Sequence, residues 1–334
     1  MSATTSSLFA AARARQALLQ SGLPHDAEMA FASSTRNEVV LCGDYVVRVN
    51  REPNQRLHRE ARWCQSLPIR SWAPRVVAYG GEVGADYLIV VRRPGQPLSR
   101  CWPSMSRDDR RRAIRQLSAA LGDLHQTPVP RTIADLHRTT HLLDPHSLNP
   151  AAPMFNAIEL LRSKPFVDRG MFDQIEALLH SIGDSVADYS DATMIHGDLT
   201  FENVLWDGTE ISALLDFEWS RGAPADLDLD IILRYCALPF AHVPAEYADQ
   251  QRTADYAEVP AWLASDLPEL FEMPRLRDRL TVYAIAFDLN ELVDEPPTKH
   301  RQDLGPLHPL NRLADILNGG GRLHRALGRS GLTV

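Results

Sequence analysis

The chain has 334 residues, 44% of them hydrophobic and 23% charged, enough for one large or two medium domains with proper cores. A net charge of −8 and a pI near 5.8 argue against nucleic acid or an anionic membrane as the main partner. Cys42, Cys64, Cys101 and Cys236 are scattered without a C-x-x-C pair, which speaks against a zinc site and for reduced thiols in a cytoplasmic protein.

From Ser7 to Gln20, apolar residues recur at helical spacing (Leu8, Ala11, Ala12, Leu18, Leu19) before Gly22 and Pro24. Arg13 and Arg15 interrupt this stretch, so it does not read as a signal peptide, and no run in the chain approaches a membrane span. The helix either packs on the sheet that follows or makes a contact in an oligomer; a monomer and a homodimer both fit. Three β segments come next, around Met29 to Ala32, Glu38 to Leu41 and Tyr45 to Val49, with a turn at Gly43-Asp44. The polar run Ser33-Ser34-Thr35-Arg36-Asn37 joins the first two. Gln55 to Leu67 reads as a helix with Leu57, Ala61 and Cys64 on one face. Pro74 to Tyr79 and Tyr87 to Val91 read as two further strands, and Arg92-Arg93-Pro94-Gly95 ends the sheet.

Ser106 opens a long helix with Asp108 and Asp109 in its first turn and Ile114, Leu117, Leu121 and Leu124 as its apolar stripe. His125, at its end, reads as a packed structural residue. Thr127 to His146 is polar and rich in Pro and His, hence loop. Asp135, His137, Asp144 and His146 fit no compact ligand spacing and read as solvated. Helices are expected at about Ala152 to Arg162 and Asp168 to Asp184.

Residues 194 to 219 read MIHGDLTFENVLWDGTEISALLDFEW. Two apolar, β-prone runs flank the polar loop, and a turn at Asp207-Gly208 leads to a second strand, Ile211 to Leu215. The loop ends carry Asp198, Asn203 and Asp216. A carboxylate beside an attacking hydroxyl, with a carboxamide and a carboxylate for Mg²⁺, suits phosphoryl transfer from a nucleotide. H-x-D-x-x-x-x-N followed by D-F-x is the catalytic and metal signature of the protein-kinase-like fold. A metallophosphatase would need further His/Asp clusters, and the chain offers none with convincing spacing.

HGDLTFENVLW with LLDFEW resembles the aminoglycoside phosphotransferase family, the small-molecule branch of the kinase fold that also holds macrolide and choline kinases. Gly197 stands where protein kinases place an Arg. Only about a dozen residues separate Asp216 from the helical run near Asp228, with no A-P-E, so a protein substrate is not expected. The resemblance implies an α+β, two-lobed fold: an antiparallel-sheet lobe over 1–94 and a helical lobe over 95–334. It implies Asp198 as the group that takes the hydroxyl proton, with Asn203 and Asp216 on Mg²⁺. His196 would pack and orient the loop. Arg48 stands where kinases carry a Lys that grips the phosphates, with Glu60 as its partner. Ser34 and Thr35 fall in the phosphate-covering loop, which lacks glycine here and reads equally as a plain hairpin loop. Val90 to Arg93, with Val90 and Arg92 as candidates, fall at the link that lines the adenine pocket.

After Pro224, Asp226 and Asp228 both precede Leu. Asp228 is expected to brace the catalytic loop, and Asp226 to face substrate or solvent. The rest reads as helical: Pro260 to Ser265, Arg275 to Val293 and Asn311 to Leu317. Asp288, Glu291, Asp294 and Glu295 on one helix and its end would either hold ammonium groups of an amino-sugar or form a solvated face. The expectation is transfer of a phosphate from ATP, with GTP possible, to a hydroxyl of a small molecule, an antibiotic first. A sugar or amino-alcohol kinase is the alternative, and a nucleotide-binding pseudokinase scaffold a third reading.

Overall fold

The structure is a computed structural model that describes residues 3–32, 37–67, 72–129, 142–190 and 192–330. The elements begin with α1 (Ala3–Gln20), β1 (Met29–Ala32), β2 (Asn37–Cys42), β3 (Tyr45–Asn50), α2 (Arg56–Ser66), β4 (Val76–Gly80), β5 (Tyr87–Val91) and β6 (Gln96–Pro97). They continue with α3 (Leu98–Cys101), α4 (Arg107–His125), α5 (Ala152–Arg162), α6 (Arg169–Ile182), β7 (Met194–Ile195), β8 (Val204–Trp206) and β9 (Ile211–Leu214). The last are β10 (Arg221–Gly222), α7 (Asp226–Ala237), α8 (Ala245–Ala248), α9 (Val259–Asp266), α10 (Pro268–Phe271), α11 (Leu276–Asp294), α12 (Pro309–Leu317) and α13 (Arg322–Ser330). Two compact units result, 1–101 with 202–220 and 102–201 with 221–334.

The first unit is built on a five-stranded antiparallel sheet in the order β1-β2-β3-β5-β4. Alternation along a strand sends successive side chains to opposite faces. Val47 and Val49 of β3 therefore join Val40, Cys42 and Ile89 under Ala14, Ala17 and Leu18 of α1. The opposite face carries Val46, Leu88 and Val90 against Leu57 and Ala61 of α2. Each fully buried aliphatic side chain of this kind contributes about 1.5–3 kcal/mol. Arg48 shares its face with Val46 and so points toward α2.

A second small sheet, β6-β8-β9, completes this unit. It is tied to the first strands' end by Arg93 Nε to the Ser212 carbonyl at 2.9 Å and by Leu214 N–H to the Trp72 carbonyl at 2.9 Å. Residues 202–220 thus group with the N-terminal residues, and the division does not fall at 94. Gly95, at φ 109°, lets the chain pass directly against the Trp206 carbonyl, where a Cβ would collide.

The second unit is helical and centres on α7, every residue of which is buried, including Asp226, Asp228, Asp230 and Arg234. The Ser106 hydroxyl caps α4 by accepting the Asp109 N–H at 3.1 Å. Beyond the helices expected from the sequence, α13 follows Gly319, whose φ of 69° lets α12 end, and seats Arg322, Ala326 and Leu327 in the interior. Among the described residues no helix is long and apolar enough to cross a membrane.

Candidate active site

In the first unit, Arg48 is the centre of a charged cluster. Its Nη1 donates to both carboxylate oxygens of Glu60, and its Nη2 donates to Asp216 Oδ1 at 3.1 Å. The two side chains of the Arg48–Glu60 pair are only 12% and 6% exposed, so this is a buried pair and not a surface one. Burial opposes the Arg48 charge, but Glu60, Asp216 and Glu218 together raise its pKa above the ordinary arginine value. Burial pushes Glu60 up, to about 8, against the pull of Arg48, and Asp216 and Glu218 add to the rise.

β8 and β9 bring the two expected metal residues to one end. Val204 pairs with Leu214, and the Leu215 N–H donates to the Asn203 carbonyl at 2.7 Å. Asp216 follows at φ 65° and ψ 59°, a left-handed conformation that costs a non-glycine residue about 1–2 kcal/mol. It does not cap the turn it opens: its side chain makes no capping bond and goes to Arg48.

Glu218, two residues on, was not singled out in the sequence, although D-F-E spacing was there to read. It is 3% exposed, accepts from Arg56 Nη1 at 2.7 Å through Oε1, and has no partner on its buried Oε2. Burial first, then Asp216, raises its pKa. Trp219 stacks below Arg56 at 5.1 Å and Arg59 at 5.9 Å, which holds that part of α2 in place.

Three carboxyl groups (Glu60, Asp216, Glu218) thus meet two guanidinia (Arg48, Arg56). Among the described residues no group of three or more His, Cys, Asp or Glu stands ready to hold a metal. Mg²⁺ asks for less, one or two protein oxygens with phosphates and water. The orphaned Glu218 Oε2, two residues beyond Asp216, fits that ion.

In the second unit, Asp228 grips the loop that carries Asp198. Its Oδ2 accepts the His196 N–H and its Oδ1 the Gly197 N–H, each at 2.9 Å. Gly197 sits at φ 82°, a conformation glycine supplies without strain. His125 Nε2 lies 3.1 Å from the same Oδ2. Burial alone would raise the Asp228 pKa, but the His125 hydrogen bond, the His125 and His196 charges and the Gly197 N–H hold it below the usual value. Fully buried His196 accepts the Asp198 N–H on Nδ1 at 3.3 Å, and Asp198 accepts the Thr200 N–H on its carbonyl at 2.9 Å. Arg221 of β10, opposite Ile195 of β7, is buried behind this loop. Burial lowers its pKa, while Tyr189, Asp228 and Asp198 support its charge.

The remaining expected residues are placed differently. Ser34, Thr35, Asp135 and His137 lie outside the described residues, while Asp144 accepts the His146 N–H at 2.9 Å in a local turn. Val90 turns its side chain to α2, and the ladder runs on past it, so that the Arg92 N–H is taken by the Asp44 carbonyl at 2.8 Å and the Arg92 side chain is exposed. Asp226 faces neither solvent nor an open surface: it is fully buried on Arg279, 2.6 Å from its Nε, and on the Tyr283 hydroxyl at 3.2 Å. Asp288 is no part of a solvated face either, being fully buried 2.7 Å from Arg312. Glu291 also pairs with Arg312.

The family description "phosphotransferase enzyme family" (APH) matches residues 29–263. The chain belongs to this family. Its fold is that of aminoglycoside phosphotransferases, an α+β kinase-like architecture with a five-stranded antiparallel sheet and a helical remainder. ADP-bound APH(2'')-Ib is similar at TM-score 0.56 and 15% identity, over 90% of this chain and 94% of that one. The GDP complex of aminoglycoside 2'-phosphotransferase-IIIa gives 0.56 and 16%, over 91% and 96%. A thermostable mutant of APH(4)-Ia in ternary complex with ADP and hygromycin B gives 0.51 and 14%, over 95% of each chain. No curated protein matches this phosphotransferase in sequence.

Proposed function

We propose that this phosphotransferase moves the γ-phosphate of ATP or GTP to a hydroxyl of a small molecule in the cytoplasm. The observation that carries the reading is Arg48, clamped by Glu60 and Asp216 in a buried, carboxylate-rich cluster beside Asn203. A permanent cation held from two sides is preorganised to grip phosphate oxygens. Mg²⁺, when bound, neutralises triphosphate charge, and Asn203 and Asp216 would hold it with Glu218 alongside.

Asp198 takes the proton of the acceptor hydroxyl. His196 and Asp228 hold the backbone of the loop that carries it. The solved relatives include complexes with gentamicin and with streptomycin. A hydroxylated antibiotic is therefore the leading acceptor class for this chain, and a sugar or amino-alcohol metabolite the next. The test is nucleotide consumption with Mg²⁺ over a panel of hydroxylated antibiotics, sugars and amino alcohols, with ATP and with GTP. Turnover on one class, lost in Asp198→Ala while nucleotide still binds, is the expected result. Loss of nucleotide binding together with turnover in that variant would refute the role given to Asp198.

A further inference from the structure

Resting on the phosphotransferase reading, we infer that His58 and Tyr79 are positioning residues for the phosphate clamp: they fix the roll of α2, and through it the hold of Glu60 on Arg48. The observation is a row of residues across the first sheet. Leu88 of β5 stands opposite Arg48 of β3 on one side and opposite Tyr79 of β4 on the other. Directly paired residues of neighbouring strands point to the same face, so all three point toward α2. Above them, Leu57 and Ala61 of α2 pack on Leu88 and Val90. His58 and Glu60 are two residues apart on that helix, about 200° around its axis, and so flank the apolar contact on its two sides. Glu60 is tied to β3 through Arg48, and His58 Nδ1 lies 3.1 Å from the Tyr79 hydroxyl of β4. Apolar contact has no direction and leaves a helix free to roll. A polar tie on each side removes that freedom.

The sheet end of the second tie is itself anchored. The Tyr79 hydroxyl donates to Asp86 Oδ2 at 2.7 Å. Asp86 is fully buried, and its Oδ1 accepts the Gly84 N–H at 3.2 Å and the Asn50 side-chain amide. A buried carboxylate satisfied by three donors is a rigid fixing point. Burial, followed by Asp86, raises the Tyr79 pKa, so the phenol keeps its one proton and gives it to Asp86. Its oxygen then accepts from His58, which places an imidazole proton on Nδ1. The two rings also meet, with their centres 5.6 Å apart.

The experiment titrates Mg·ATP calorimetrically into wild type, Tyr79→Phe, His58→Leu and His58→Asn, with the folding of each checked by melting temperature. Tyr79→Phe keeps the ring and removes only the hydroxyl. It and His58→Leu should weaken Mg·ATP binding about fivefold to tenfold, because Glu60 no longer holds Arg48 in register. His58→Asn offers an amide N–H near the place of Nδ1 and should bring the affinity back to within about twofold of wild type. A lower melting temperature with unchanged affinity in Tyr79→Phe would overturn the inference and leave the pair a purely structural tie. In a Glu60→Gln background, Tyr79→Phe should weaken binding by no more than about twofold further. A full further loss there would show action by a route other than Glu60, against the inference. Wild type, the two single variants and the double variant, unfolded in urea without nucleotide, form a cycle that does not depend on phosphotransfer. Non-additive losses are expected, and additive ones would refute the coupling of Tyr79 to Glu60. Absence of Mg·ATP binding to the wild type would instead count against the phosphotransferase reading, so each can fail without the other.

Discussion

Arg48 illustrates how much a single residue type decides. Its fork reaches Glu60 through one nitrogen and Asp216 through the other, which a lysine ammonium at the end of a flexible stem cannot do in the same geometry. Arg48→Lys should raise the nucleotide KM about tenfold, or roughly 1.4 kcal/mol, with kcat falling less. Steady-state kinetics over both substrates would check it, and an unchanged nucleotide KM would remove Arg48 from the phosphate site. Asp228 makes a second residue-scale case. Its folded pKa lies below the ordinary carboxylate value, so its contribution is present above that value and lost as pH falls through the lowered one. Asp228→Asn should cost about 1–3 kcal/mol at neutral pH, since the amide NH₂ would face a backbone N–H. It should also flatten the loss of stability below about pH 4, measured by urea unfolding at several pH values. The spacing of Asp198, Asn203 and Asp216 stands in the sequence as the H-x-D-x-x-x-x-N and D-F-x pattern, on which the roles proposed for them rest. The partners of Asp226 and Asp288 were not legible there, since a buried charge finds its counter-ion across the fold: Arg279 is 53 positions away and Arg312 24.

At the scale of elements, β3 and α2 were readable because alternation and helical spacing each expose one apolar face to a partner. Helix α13 was not. No expectation reached RLHRALGRS, where Ala326 and Leu327 are buried together with Arg322, which donates to the Ala284 carbonyl at 3.1 Å and pairs with Asp288. Turns offer a sharper test. Gly95 combines a left-handed φ with contact against the Trp206 carbonyl, so Gly95→Ala meets both a backbone penalty and a collision. A loss of about 2–4 kcal/mol is expected in chemical denaturation. A loss under about 1 kcal/mol would mean that the β6–β8 approach relaxes freely. On α7 and α11, Arg279→Met strands the fully buried Asp226 and should cost about 3–5 kcal/mol. The double variant Asp226→Asn with Arg279→Met should recover much of that, because it removes both charges together. Equal losses in the single and double variants would show that the pair's shape, not its charge, matters there.

For the whole molecule, the division of the chain was the least legible feature, because pairings such as Leu214 to Trp72 join residues far apart and leave no local pattern. That division separates what nucleotide binding should require from what transfer should require. Arg48, Glu60, Asn203, Asp216 and Glu218 belong to the first compact unit, Asp198 and its brace Asp228 to the second. A ligand that binds only the folded state stabilises it by mass action, about 2.7 kcal/mol at a hundredfold excess over Kd. Mg·ATP should therefore raise the melting temperature of the wild type by several degrees. Asp198→Ala should keep that shift and lose transfer, whereas Arg48→Ala should lose both. Removing Mg²⁺ with a chelator should shrink the shift, because the triphosphate would then face Asp216 with its own charge unneutralised. A shift equally large with and without Mg²⁺ would take Asn203, Asp216 and Glu218 out of the metal site. A shift that vanished in Asp198→Ala would tie nucleotide binding to the very residue assigned to the acceptor proton.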